Sequence, residues 1–239
     1  MTADHGRRIP WPSAQQGAPV PQLPLLRHES SPAPAAWLQQ AMTTFAASVA
    51  SFLPGHYAAY ARLHHPFRMG GLDPAAPGTW QELAARHGRD IRDPMAVEGF
   101  ALDGVPDAQA RIGTLSPEQI DVCVEHLRSA TETPEQCYFA LWTGFGGSAV
   151  PHDLQPQLRL PNREYHLFSG PLEAARTSYH AVWWVFQSAN LWWPADRAWC
   201  VASEIDHAWS YVGGGAPLIE TILGDARLDA ARTSAGAVW

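Results

Sequence analysis

Three side chains near the C-terminal end of a predicted strand have types and spacing suited to acid–base chemistry: Glu204, Asp206 and His207. Residues two apart on a strand share a face, which would place the carboxylates of Glu204 and Asp206 roughly 6–7 Å apart. That separation suits a general acid–base pair or a metal ion. It equally suits an acidic surface that pairs with Arg163 or Arg197. These three residues are therefore the catalytic candidates if the chain is an enzyme.

Tryptophan is concentrated in one part of the chain. Five of its eleven copies lie between residues 183 and 199: Trp183, Trp184, Trp192, Trp193 and Trp199. Their rings could bind a sugar, a base or a cation, or they could build a core or a protein interface. Neighbouring side chains of an extended chain point to opposite faces, so Trp192 and Trp193 cannot both face one way. We expect at least one of these rings to meet solvent or a partner, and residues Trp192, Trp193, Asp196 and Arg197 form the candidate binding loop.

Histidines offer a further possible site. His64 and His65 are adjacent and precede Pro66, and His56 lies eight residues before His64. Even spacing on a strand would put His56 and His64 on one face, whereas His64 and His65 would face opposite ways. A histidine before a proline at a turn is more often a hydrogen-bonded structural residue. We expect no metal site.

Composition excludes several function classes. The 239 residues contain 16 arginines and no lysine against 23 acidic residues, which gives a net charge of −7. This balance argues against binding to nucleic acid or to an anionic membrane surface. The absence of lysine excludes the phosphate-binding loop that ends in Gly-Lys and Schiff-base chemistry. Neither the Gly-x-Ser-x-Gly nucleophile motif nor a dinucleotide-binding motif is present, so we expect no cofactor.

Cysteine usage and the N-terminal residues indicate the compartment. The three cysteines, Cys123, Cys137 and Cys200, are far apart and odd in number, and we predict buried free thiols in a reducing environment. The first residues lack the apolar core of a signal peptide, and no stretch approaches the roughly 18 apolar residues of a membrane helix. The sequence therefore predicts a cytoplasmic protein.

Hydrophobic periodicity and turn residues predict the elements that would position these side chains. Helices are expected over residues 35–52, 80–87 and 216–223, with another that starts at a capping box formed by Ser116 and Gln119. Strands are expected over residues 97–102, 137–142, 165–168 and 198–206, and residues 171–176 suggest one or two helical turns. Helices come first and strands mostly afterwards. This order favours an α+β fold with a mostly antiparallel sheet in the C-terminal half, packed by helices.

The same patterns divide the chain into three parts. Residues 1–34 contain seven prolines and are predicted to form a flexible arm, because proline fixes φ and lacks a backbone donor. Residues 35–230 are predicted to form a single domain, and residues 231–239 a frayed tail.

Several segments together resemble a known protein family. They are the stretches from Leu53 to Pro66, Trp80 to Ala84, Cys137 to Gly146, Leu160 to Tyr165, and Asn190 to Asp206 with Val212-Gly213-Gly214. In this order they are similar to a family of uncharacterised proteins common in actinobacteria, over about residues 50–229. A looser resemblance, in the Leu-Pro-x-x-Tyr pieces and the Trp-rich region, is to the SMI1/KNR4 superfamily. Its small α+β domains often serve as immunity or partner-binding proteins.

Two functions are consistent with these observations. One is a non-enzymatic cytoplasmic binding protein, of an immunity-like kind, whose Trp-rich loop contacts a protein partner. The alternative is a small-molecule enzyme of the hydrolase type that uses Glu204, Asp206 and His207 beside a Trp-lined pocket, with His56 as another possible base.

Overall fold

The computed structural model of the chain describes residues 23–69, 80, 84, 88, 90, 108–151, 153–182 and 184–238. Within them, a nine-stranded antiparallel sheet packs with three α-helices, which confirms the predicted α+β class. The helices are α1 (Ala36–Ala41), α2 (Pro117–Arg128) and α3 (Ala216–Gly224). The sheet contains β1 (Arg27–His28), β2 (Ala59–His64), β5 (Cys137–Trp142), β6 (Leu158–Leu160), β7 (Arg163–Gly170), β8 (Leu191–Pro194), β9 (Trp199–Ser203), β10 (Trp209–Gly214) and β11 (Ala230–Thr233). The short strands β3 (Phe67–Met69) and β4 (Ala108–Ala110) pair separately.

The strand order in the sheet is β1-β7-β5-β8-β9-β10-β2-β11, and β6 also pairs with β7. Every neighbouring pair is antiparallel. The strand β2 comes from the first third of the chain, yet it lies between β10 and β11 from the C-terminal part. The sheet therefore joins both halves of the sequence and is not confined to the second.

Both faces of the sheet are covered. Helices α2 and α3 and the 3-10 turn Leu172–Arg176 pack on one face, and α1 with residues 49–53 packs on the other. Alternate residues of the central strands consequently enter two different hydrophobic clusters. Trp192, Trp199 and Val201 face the α2–α3 side, while Trp193 and Cys200 face the α1 side.

Several predicted elements are confirmed. β5 has the predicted bounds, α3 follows Gly213 and Gly214 as expected, and Leu172–Arg176 is helical. At the start of α2 both bonds of the capping box form: Gln119 N–H donates to Ser116 Oγ, and Ser116 N–H donates to Gln119 Oε1. Each of these elements is marked by residues within it or directly beside it, so it can be predicted from the sequence alone.

The helix predicted over residues 35–52 is wrong, because α1 ends at Ala41. The residues that follow include Thr43 and Thr44, whose branched side chains favour helix weakly. Further on, Ser51 Oγ donates to the carbonyl of Ala46 at 2.6 Å and accepts from its N–H at 2.8 Å. This side chain replaces the backbone bonds that a continuous helix would make.

The segments predicted to flank the domain each contain residues of an edge strand. Residues 1–22 of the predicted arm lie outside the described residues, but Arg27–His28 of the same segment form β1 and pair with β7. At the other end, the tail predicted to be frayed contains most of β11, which pairs with β2. Short apolar and alanine-rich stretches carry little periodicity, so neither edge strand was visible in the sequence.

The strand predicted over residues 198–206 is shorter in the structure, where it is β9. The two strands that pair with it, β8 and β10, are not predicted from the sequence. β9 ends at Ser203 and is buried on both faces, so Glu204 and Asp206 do not share a strand face. Pro194 in β8 and Gly213–Gly214 in β10 are loop signals in the sequence, and they concealed two central strands. The elements predicted over 80–87 and 97–102 fall outside the described residues, apart from Trp80 and Ala84.

Candidate functional site

The two tryptophans of the candidate loop are core residues. Trp192 is 2% exposed and Trp193 is fully buried, since they extend from β8 into opposite clusters. The expectation that one ring meets solvent or a partner is therefore wrong for this pair. It assumed a sheet with one free face, whereas this sheet is covered on both.

Arg197 and Asp196 are the exposed members of the candidate loop, and Arg197 has the unusual backbone. It lies in the turn of residues 194–198 that connects β8 to β9, here named the Arg197 turn, and its φ is +60°. Among the described non-glycine residues, just Asn162 shares a positive φ. The left-handed conformation is costly for a long side chain, so it persists only where the surroundings impose it.

Hydrogen bonds impose that conformation. Arg197 N–H donates to the carbonyl of Pro194 at 2.9 Å, and Tyr57 Oη donates to the carbonyl of Arg197 at 3.2 Å. Tyr57 reaches this position across Gly213, where a Cβ would lie 2.6 Å from Tyr57 Cδ2. Burial raises the pKa of Tyr57, so its hydroxyl remains a donor.

Asp196 holds the turn from within. Its Oδ2 accepts from Thr131 Oγ1 and from Glu132 N–H, both at 2.7 Å, and its Oδ1 accepts from Ala198 N–H at 3.0 Å. Partial burial acts to raise the pKa of Asp196, but these hydrogen bonds outweigh it and the pKa is lowered. Asp196 is therefore an ionised positioning residue rather than a free contact group.

The Arg197 guanidinium packs on one ring of a group of aromatic side chains. Its Cζ lies 5.4 Å from the ring centroid of Trp37, which also contacts the rings of His56 at 5.9 Å and Trp193 at 6.1 Å. His56 is exposed and packs against Tyr57 with ring centroids 4.7 Å apart. We name Arg197, Trp37, His56 and Tyr57 together the Arg197 surface.

The three catalytic candidates are not arranged as a catalytic group. Glu204 is 7% exposed, and its Oε1 accepts from Arg163 Nη2 at 2.6 Å. Asp206 is exposed at 3.9 Å from the same nitrogen. This is the acidic surface paired with Arg163 that the sequence left open as the alternative. Burial lowers the pKa of His207 to about 4, and its ring packs between Phe52 and Trp209.

A cleft of ≈320 Å³, open to solvent, lies beside this ion pair. Its polar lining includes Arg163, Glu204 and Asn190, and Phe45 and Tyr165 contribute aromatic walls. The Arg163 guanidinium lies 5.9 Å from the ring centroid of Phe45 and 5.8 Å from that of Trp142. The protein's own arginine thus occupies the cation-binding position between these two rings.

The histidines do not converge on one point. His56 precedes β2 and His64 ends it, so a strand of roughly 17 Å separates them. His65 is fully buried: its Nδ1–H donates to the carbonyl of Arg111 at 2.8 Å, and its Nε2 accepts from Ser210 Oγ at 2.7 Å. In the described part of the chain, no group of three His, Cys, Asp or Glu side chains could hold a metal ion.

Sequence reasoning missed the partners of Arg197. Trp37, His56 and Tyr57 are distant from it in the chain, and no local pattern connects them. The signal that could have been used is the Pro-Ala-Asp-Arg-Ala turn after an extended Trp-Trp pair, with an Asp placed to cap it. The exposed tryptophan is also a different one from those expected, since Trp184 is 67% exposed.

The remaining predictions concern thiols and membrane spans. Cys123, Cys137 and Cys200 are free and buried, as predicted. Burial raises the pKa of the Cys123 and Cys137 thiols to about 12. Among the described residues, no helix has the length and apolar character needed to cross a membrane.

Comparisons with known proteins add no identification. No protein-family model matches the chain, and no curated protein and no solved structure matches it either. The resemblances to the actinobacterial family and to the SMI1/KNR4 superfamily therefore stay predictions.

Proposed function

We propose that the chain is a non-enzymatic cytoplasmic binding protein that contacts a protein partner through the Arg197 surface. The observation that carries this proposal is an exposed arginine in an unfavourable backbone conformation, packed on a tryptophan and held by a network of hydrogen bonds. A strained and fully supported residue of this kind is typical of functional positions.

The composition of the Arg197 surface supports a protein partner. Arginine, tryptophan and tyrosine are the residues most enriched among those that dominate the binding energy of protein interfaces. Since the turn is already fixed by Asp196 and Tyr57, little conformational entropy is lost when a partner docks on it. The resemblance to the SMI1/KNR4 superfamily, whose domains often serve as immunity or partner-binding proteins, also favours a protein partner.

The hydrolase alternative receives less support. Its one favourable observation is the cleft beside Glu204. Arg163 takes Oε1 of that carboxylate, and Asp206 points into solvent. A general acid–base pair needs its two groups directed at one reacting atom, which this arrangement does not provide.

The proposal predicts that Arg197→Gly reduces partner binding by at least about tenfold, as expected for a residue central to an interface. Tagged wild type and Arg197→Gly chains are expressed in the cells that naturally make the protein, and the amount of the stoichiometric partner recovered is measured. Glycine suits a φ of +60°, so the variant keeps the turn and its thermal stability should match that of wild type or exceed it.

Arg159→Ala is the matched control. Arg159 of β6 has a side chain that is 70% exposed and pairs with Glu164 of β7, so its loss removes a surface arginine that is not a member of the Arg197 surface. Equal partner recovery with wild type, Arg197→Gly and Arg159→Ala would overturn the proposal.

A further inference from the structure

We propose that the Arg197 surface recognises a carboxylate group, carried by a Glu or Asp side chain of the partner protein. This inference rests on the proposed function, and it adds the chemistry of the group that the surface binds. Arg197 Nε, Nη1 and Nη2 would donate to the carboxylate oxygens, and Trp37 would hold the guanidinium in place.

Arg197 differs from most of the other described arginines in the partners of its side chain. Seven described arginines form ion pairs with carboxylates of the chain: Arg27, Arg128, Arg159, Arg163, Arg176, Arg227 and Arg232. Within the described ranges, the Arg197 side chain makes no ion pair and no hydrogen bond. Its sequence neighbour Asp196 directs its oxygens to Thr131, Glu132 and Ala198 instead. The chain thus uses the nearest acid to fix the turn and leaves the guanidinium donors available.

The guanidinium of Arg197 lies over the ring of Trp37. A guanidinium that packs on an aromatic face keeps its N–H groups at its edge, where they fit the two oxygens of a carboxylate. The ring of Trp37 is itself fixed, because it is 7% exposed and packs against Trp193. Both the backbone and the side chain of Arg197 are therefore set before a ligand arrives, which lowers the entropic cost of binding.

The charge around Arg197 limits the charge of the ligand that it can bind. The chain carries a net charge of −7, and the exposed Asp196 adjoins Arg197. A polyanion such as a nucleic acid or a phosphorylated surface needs several unpaired cations and would be repelled by this background. One arginine on an aromatic support fits a group of single negative charge, which favours a carboxylate over a phosphate.

Two short peptides provide the test: acetyl-Gly-Glu-Glu-Gly-amide and its Gln-Gln analogue. Binding to the full chain is followed by the NMR signals of the Trp37 indole N–H and the Arg197 Nε–H. We expect the Glu peptide to shift both signals saturably and the Gln peptide to leave them unchanged. Arg197→Gly should weaken the Glu peptide by at least about tenfold, read from the Trp37 signal. Arg197→Lys should weaken it several-fold, because the ammonium group lacks the planar fork.

Inorganic phosphate and 0.5 M NaCl complete the design, the salt concentration being about that needed to screen a surface pair. Phosphate binding as tight as that of the Glu peptide would overturn the carboxylate assignment. The same holds if the Glu and Gln peptides bind equally or if Arg197→Gly leaves the Glu peptide's affinity unchanged. A loss of Glu peptide binding in 0.5 M NaCl supports the assignment.

Failure of the inference and failure of the proposed function give different results. In one outcome Arg197→Gly abolishes partner recovery, Arg197→Lys leaves partner recovery unchanged, and the Glu peptide does not bind. The surface then binds a partner by contacts other than a carboxylate. If the Glu peptide binds through Arg197 and partner recovery is unaffected by Arg197→Gly, the carboxylate site is real and the proposed partner interface is wrong.

Discussion

Polar residues inside the sheet form a directed chain of hydrogen bonds. His65 Nδ1 can only donate to the Arg111 carbonyl, so its Nε2 is unprotonated and accepts from Ser210 Oγ. The Ser210 hydroxyl in turn lies 2.6 Å from Ser203 Oγ on the neighbouring strand and accepts from it. The arrangement requires neutral His65, and burial together with the nearby cations lowers its pKa to about 4.

This residue predicts acid sensitivity. The unfolded chain protonates His65 near pH 6.5, whereas the folded chain does so only near pH 4. The free energy of unfolding should therefore fall as the pH drops from about 6.5 to about 4, by up to about 3 kcal/mol from His65. His207 contributes in the same direction, since burial lowers its pKa as well. Urea denaturation of wild type and His65→Gln at pH 7.5, 6 and 5 measures the effect.

In His65→Gln the chain should be less stable at pH 7.5 but lose less stability on acidification. His56→Gln, which changes an exposed ring, serves as the control and should keep the wild type pH dependence. An identical slope in wild type and His65→Gln would show that His65 is not the group responsible.

At the scale of elements, helix α2 is the one that the sequence defined most completely. Its Ser116–Gln119 capping box is confirmed bond by bond, but Gln119 also donates from Nε2 to the carbonyl of His64 at 2.7 Å. That second bond ties the start of α2 to the end of β2, and nothing in the local sequence indicates it. Local chemistry is thus readable from neighbouring residues, while the partner strand depends on the tertiary fold.

The double role of Gln119 predicts a difference between two variants. Ser116→Ala removes one cap acceptor and should cost about 1 kcal/mol of unfolding free energy. Gln119→Ala keeps that acceptor but removes the two bonds of the Gln119 side chain, with Ser116 N–H and with the His64 carbonyl, so about 2 kcal/mol is expected. Chemical denaturation of both variants checks this, with Glu118→Ala at an exposed first-turn position as the control. Equal losses in the two variants would show that the bond to β2 contributes nothing.

Two of the central strands, in contrast to α2, are not predictable from their own residues. β5 was predicted because it is a continuous apolar run, whereas β8 and β10 were hidden by Pro194, Gly213 and Gly214. Those residues are tolerated where they stand for specific reasons: Pro194 is the last residue of β8, and Gly213 leaves room for Tyr57. The candidate site shared this limit. Arg197 and Asp196 were found as residue types in a loop, but the supporting Trp37 and Tyr57 come from a part of the chain that only folding brings near.

At the scale of the whole molecule, β11 closes one edge of the sheet. Ala231 is 4% exposed, and beyond the strand Ala235 and Ala237 accept backbone hydrogen bonds from Ala50 and Val49. The C-terminal residues therefore connect the edge of the sheet to the segment that covers the α1 face.

A chain that ends at residue 229 should accordingly lose on the order of 3 kcal/mol or more, from several backbone hydrogen bonds and the burial of Ala231. Thermal and urea unfolding of the truncated chain measure the loss. Val238→Ala, at a 65% exposed position, is the control that should behave like wild type. A truncated chain as stable as the full one would contradict this expectation and support the frayed tail that the sequence predicts.

The place of β2 has a consequence for synthesis on the ribosome. Val212 pairs with Ala61 and Ala230 with Leu63, so both neighbours of β2 are made more than about 140 residues after it. Contacts between residues so far apart in the sequence form slowly, because closing the long intervening loop costs chain entropy before the contacts stabilise the fold. The apolar residues Ala61 and Leu63 must wait uncovered while β5 to β9 emerge and pair with one another. The nascent chain is thus exposed to aggregation for most of its translation time, and its yield in a cell depends on elongation rate and chaperone capacity.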